Sequence, residues 1–108
     1  MRIVRFDGAG CKVAQFEGRL DARAVEEATS VLLDMVPKGA VVADFAQVPF
    51  VSSAGLRVLL RAATLAKSCG NRFALCGLQP TVREVFEISG FDRIIALHAN
   101  LAEATGAG

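Results

Sequence analysis

Val48-Pro49-Phe50-Val51-Ser52-Ser53-Ala54-Gly55-Leu56-Arg57-Val58-Leu59-Leu60 is the stretch on which the fold turns. An apolar, strand-like run gives way at two serines to a helix-like one. A helix start leaves backbone N–H groups without partners and carries partial positive charge. A hydroxyl there caps the helix, and a phosphate on that hydroxyl meets a favourable field. The position suits a serine that takes a phosphate without unfolding its surroundings.

Working outward, Met1 to Phe6 and Cys11 to Phe16 are short apolar runs separated by Asp7-Gly8-Ala9-Gly10, which reads as a β-hairpin. Glu17-Gly18-Arg19-Leu20-Asp21 follows, with Asp21 placed as an N-cap. Val25, Ala28, Leu32 and Met35 then recur at helical spacing until Pro37-Lys38-Gly39 stops the helix. Val41-Val42-Ala43-Asp44-Phe45 has the pattern of a buried strand. The second helix starts near Ser53, runs to about Cys69 and turns Leu56, Leu59, Leu60 and Ala63 inward, with Gly70-Asn71 as its stop. Arg72 to Cys76 reads as a strand. Pro80 opens a third helix, with Val82, Val85 and Phe86 inward and Ser89-Gly90 closing it. Ile94-Ile95-Ala96-Leu97 predicts a last strand, and Asn100 a cap for a short final helix.

The order ββαβαβαβα predicts an α/β fold: a mixed, mostly parallel sheet with an N-terminal hairpin and packed helices. Residues 1–104 are expected to form one domain and 105–108 a flexible tail. The serines fall just beyond a strand, at the edge where α/β folds place their sites.

The chain has 108 residues, 53% of them hydrophobic, and a formal net charge of +1. No stretch is long and charge-free enough to span a membrane, and no secretory leader opens the chain, so a cytoplasmic protein without membrane insertion is expected. No basic stripe or Trp/Tyr platform suggests direct nucleic-acid binding. Cys11, Cys69 and Cys76 sit among apolar neighbours without C-x-x-C spacing, which predicts buried reduced thiols and no metal. Hydrolase chemistry finds little support: Val51 stands where a G-x-S-x-G elbow needs its first glycine, and the one histidine, His98, lies near the C-terminus. The phosphate-loop motif G-x-x-x-x-G-K-[ST] is absent.

Glu17 to Asp21, Val41 to Phe45, Phe50 to Leu56, Gly70 to Cys76 and Val85 to Phe91, in this order, resemble the STAS domain family, specifically its free-standing bacterial anti-sigma factor antagonists. The resemblance implies partner switching. The unphosphorylated antagonist binds an anti-sigma factor that is also a serine kinase. Phosphorylation at the start of the second helix ends binding, and a serine phosphatase resets the switch. Matched on Gly55-Leu56, the family's phosphoserine falls on Ser53, with Ser52 the second choice. Many members carry aspartate immediately before that serine and Ser or Thr after it; here Ser52 and Ala54 stand there. The expected partner-binding residues are Asp21, Asp44, Ser52, Ser53, Ala54, Gly55 and Arg57.

The expected molecule is not an enzyme, needs no cofactor, and is a monomer when free. The resemblance leaves nucleotide binding open. It also leaves open an accessory subunit of an ABC-type lipid transporter, or an adaptor of another kinase in a sensory or secretion pathway.

Overall fold

The computed structural model describes residues 1–105. Its elements are β1 (Arg2–Gly8), β2 (Cys11–Glu17), α1 (Val25–Met35), β3 (Val41–Gln47), α2 (Ser53–Ser68), β4 (Phe73–Cys76), α3 (Pro80–Ser89), β5 (Ala96–His98) and α4 (Leu101–Thr105), with 3₁₀ turns at Val36–Lys38 and Phe91–Arg93. This is the ββαβαβαβα order the sequence predicts. The sheet runs β1-β2-β3-β4-β5; the first pair is antiparallel and the others are parallel. Parallel neighbours require a crossover, and α1, α2 and α3 each supply one.

Alternation along the strands divides the sheet into two unlike faces. Ala14 and Phe16 of β2, Ala43 and Phe45 of β3, and Leu75 of β4 join the buried residues of α1, α2 and α3 in the main core. Phe16 and Phe45 meet there with ring centroids 5.0 Å apart and planes tilted by 50°, a favourable aromatic geometry. Val42 and Cys76 point the other way, where the short α4 brings Ala104 against them.

The helix ends follow local chemistry. Pro80 sits in the first turn of α3, and Gly90 ends that helix in the left-handed region at φ 79°. The Asn100 side chain accepts the Glu103 N–H at 2.8 Å, capping α4 as expected. Asp21 is not the cap of α1. Its Oδ1 accepts the Arg23 N–H at 3.1 Å, its carbonyl takes the Ala24 N–H, and the helix begins only at Val25. The carboxylate is spent on a turn before the helix.

Several inward faces differ from expectation. In α2 the buried residues are Gly55, Leu56, Val58, Leu59, Ala62 and Ala66, whereas Leu60 and Ala63 are only half-buried. Apolar residues crowd α2, so periodicity allows overlapping stripes, and contact with the sheet selects among them. Leu60 instead lines a groove with Leu33 and Leu65 between α1 and α2. Val25 is half-buried and Val85 is exposed, leaving Val82 and Phe86 as the inward pair of α3. Ile94 and Ile95 precede β5 rather than forming it, and only Ile95 is buried. Of the expected tail, Thr105 belongs to α4 and residues 106–108 lie outside the described residues.

The three free cysteines are not alike: Cys76 is buried, Cys11 is half-buried and Cys69 is exposed. Cys69 follows the last turn of α2, where the helix runs past the edge of the core. Burial pushes the Cys76 thiol up to about 12, with the charge of Asp44 adding to it. At about pH 8, alkylation followed by intact mass should therefore modify Cys69 first and spare Cys76 until the protein unfolds. Equal rates at the two thiols in the folded protein would contradict this packing.

Candidate functional site

After β2 the chain runs beside the connection between β3 and α2. The Leu20 N–H donates to the Phe50 carbonyl at 2.9 Å, and the Ser52 N–H donates to the Leu20 carbonyl at 3.0 Å. These two bonds form a parallel bridge between Leu20 and Val51. Both side chains are buried. Extended backbone alternates its side chains, so Arg19 and Asp21 on one segment, and Phe50 and Ser52 on the other, face outward. The bridge register sets Arg19 beside Phe50 and Asp21 beside Ser52.

The serines divide their roles. Ser52, in extended backbone, is the N-cap of α2, and its hydroxyl accepts the Gly55 N–H at 3.1 Å. Ser53 is the first helical residue and is exposed. Gly55 lies against the bridge. A Cβ there would stand 2.5 Å from the Leu20 carbonyl oxygen and 2.9 Å from Leu20 Cγ. Glycine is needed here for close approach of two backbones, a constraint of space rather than of dihedral angle.

On the outer side, the Arg19 guanidinium lies 4.2 Å from the centroid of the Phe50 ring. Its Nε is 3.6 Å from Asp21 Oδ2. An exposed cation–π contact contributes about 0.5–1 kcal/mol, and an exposed ion pair about 0.2–1 kcal/mol. Arg19 is therefore held lightly. Arg57, one turn along α2 from Ser53, is exposed, and Ala54 is half-buried.

Asp21, Ser52, Ser53, Ala54, Gly55 and Arg57 thus come together around the start of α2. Asp44 does not join them. It shares the sheet face of Val42 and Cys76, opposite the main core, by strand alternation. Only 8% exposed, its carboxylate accepts the Ala46 N–H at 3.0 Å and the Gln15 Nε2–H at 3.3 Å. That arrangement braces the end of β3. Arg19 and Phe50 are part of the surface although sequence reasoning did not single them out. Thirty-one positions apart, they meet only through the Leu20–Val51 register.

Among the described residues, no group of three or more His, Cys, Asp or Glu side chains is placed to hold a metal ion. None of the described helices is long and apolar enough to cross a membrane. His98 is remote from this surface in chemistry, engaging Glu103 of α4 at 3.4 Å and Arg72 at 3.2 Å.

The STAS domain family model matches residues 3–104. BtrV of Bordetella bronchiseptica, a candidate anti-sigma factor antagonist, is 40% identical over 100 residues, spanning 91% of this chain and 85% of BtrV. Among solved structures, the anti-sigma-factor antagonist (STAS) domain protein of Planctomyces limnophilus superposes with a TM-score of 0.84 at 26% identity, over 97% of this chain and 96% of that one. The anti-sigma factor antagonist SpoIIAA in its unphosphorylated form gives 0.79 at 23% identity, over 95% and 92% of the two chains. The Bacillus SpoIIAA in its phosphorylated form gives 0.75 at 22% identity, over 98% of each. At those identities SpoIIAA shows the fold alone.

The two serines and the glycine should respond differently to substitution in urea unfolding. Ser52→Ala should lower stability by about 1 kcal/mol through loss of the cap. Ser53→Ala should stay within about 0.5 kcal/mol of the parent, as an exposed side chain outside the cap. Gly55→Ala should cost more than Ser52→Ala, because its Cβ meets backbone that cannot swing away. A reversal of the two serines would contradict the assigned cap.

Proposed function

This chain belongs to the STAS domain family, and we propose that it is an anti-sigma factor antagonist switched by phosphorylation of Ser53. The antagonist part of this reading is supported by the match to BtrV along most of both chains. The switch part is supported by one local observation: Ser52 is committed to the cap while Ser53 is exposed beside it. Phosphorylating Ser52 would convert the acceptor that holds the Gly55 N–H. Phosphorylating Ser53 leaves that hydrogen bond in place.

In this cycle the unphosphorylated surface around Ser53 binds an anti-sigma factor with serine kinase activity, which frees the sigma factor. The kinase transfers the γ-phosphoryl group of ATP to Ser53 Oγ, releasing ADP and the hydroxyl proton. The product carries about −1.5 to −2 additional charge and strong acceptor oxygens. Inside an interface built around a neutral hydroxyl, that charge gives up hydration that the partner's surface is not built to replace. Losing about 3 kcal/mol there weakens binding more than a hundredfold. A serine phosphatase hydrolyses the ester and restores the binding form.

The chain's own contribution is to present the acceptor and hold the surface in register. Asp21 lies beside Ser52, Arg57 follows Ser53 by one helical turn, Gly55 lets α2 sit against Leu20, and Asp44 supports the end of β3. The protein works by association in the cytoplasm, as a monomer when free, with ATP belonging to the kinase.

Ser53→Ala bait should retain the anti-sigma kinase in a pull-down with ATP present, whereas Ser53→Asp should bind weakly and stoichiometrically phosphorylated protein should release it. Undiminished binding by the phosphorylated protein would refute the switch. Capture of a transporter ATPase and permease in place of the kinase would refute the antagonist reading.

A further inference from the structure

The outward row Arg19, Asp21, Phe50 and Ser52 contains a device that the Ser53 switch alone does not require. We infer that Arg19 is the positioning residue through which a phosphate on Ser53 remodels the surrounding surface: the phosphate draws the guanidinium away from Phe50 and Asp21 and uncovers the aromatic ring. This rests on the reading of Ser53 as the phosphorylated residue.

Three observations carry the inference. First, the bridge between Leu20 and Val51 fixes the backbones of both partners, so the Arg19 side chain can move while its base stays in place. Second, among the described residues Arg19 is held by light contacts, its guanidinium 4.2 Å from the Phe50 centroid and its Nε 3.6 Å from Asp21 Oδ2, with its own side chain 61% exposed. Third, Asp21 is a divided competitor, because its other oxygen accepts the Arg23 N–H at 3.1 Å.

A phosphoserine brings about −1.5 to −2 charge and three acceptor oxygens, against one charge on Asp21. Guanidinium pairs with phosphate through two parallel hydrogen bonds. The single Asp21 contact at Nε, 3.6 Å long, offers no such fork. Arg57, exposed at i+4 from Ser53, is positioned to share the phosphate, but its movement exposes nothing comparable. Arg19 is the cation whose departure changes a second chemical feature.

That feature is the Phe50 ring, already 39% exposed with the guanidinium over it. Without phosphate, Arg19, Arg57 and Asp21 leave one net positive charge on this surface, and the guanidinium shields an aromatic face. With phosphate the local sign reverses and the aromatic face is bare. A partner fitted to the first surface then meets both a wrong charge and a displaced arginine.

The test needs neither kinase nor partner. Phosphoserine is installed at position 53 during translation, and the phosphate is titrated by phosphorus NMR in the parent, Arg19→Gln, Arg19→Lys and Arg57→Gln proteins. A nearby cation favours the dianion and lowers the second phosphate pKa from its ordinary value of about 6. Arg19→Gln should therefore raise it by several tenths of a unit, and Arg19→Lys should restore part of the lowering. In the parent, the nuclear Overhauser contact between the Arg19 side chain and the Phe50 ring should weaken on phosphorylation. An unchanged phosphate titration in Arg19→Gln, or an Arg19–Phe50 contact that persists beside the phosphate, would overturn the inference. Retention of the partner by phosphorylated protein would instead strike the partner-switching reading and leave this titration unaffected.

Discussion

The bridge between Leu20 and Val51 is the constraint from which the candidate site follows. Two backbone hydrogen bonds join a segment after β2 to the connection before α2, and two buried side chains hold that junction to the core. The same register turns Arg19, Asp21, Phe50 and Ser52 outward. Gly55 then lets the first turn of α2 approach the Leu20 carbonyl, where any side chain would collide. Removing the bridge would separate the two segments of the candidate site without touching any of their outer side chains.

Rigid support and a light outer layer are separate parts of this design. Together with Leu20 of the bridge, Phe16, Phe45 and Leu59 are fully buried in one core. Burying such a side chain contributes about 1.5–3 kcal/mol, whereas the exposed Arg19 contacts contribute a fraction of that. A charge added at Ser53 acts on the weaker layer first. On the proposed switch, a phosphate at this exposed first-turn position would change what a partner meets while the sheet and helices stay in place.

The fold was legible because its punctuation is local. Pro80 and Gly90 bound α3 through their own backbone preferences, Asn100 caps α4 through its own side chain, and alternating strand and helix patterns imply the parallel sheet. The errors arise where a distant neighbour decides. Leu60 loses to Val58 and Ala62 because α2 offers more apolar residues than the sheet can cover. Asp21 resembles a cap, yet its carboxylate closes the turn before α1. Asp44 is close to the site in sequence and faces the opposite side of the sheet by alternation. The Arg19–Phe50 stack has no signature in either segment alone, since it exists only once their register is known.

The most direct test of a switch confined to the surface is a comparison of backbone and methyl NMR spectra with and without phosphoserine at position 53. The account predicts shifts at residues 19–21 and 50–57, with Leu59, Leu75 and Ala43 in the core unchanged. Shifts spreading through those core residues would contradict it, because phosphorylation would then act by rearranging the fold.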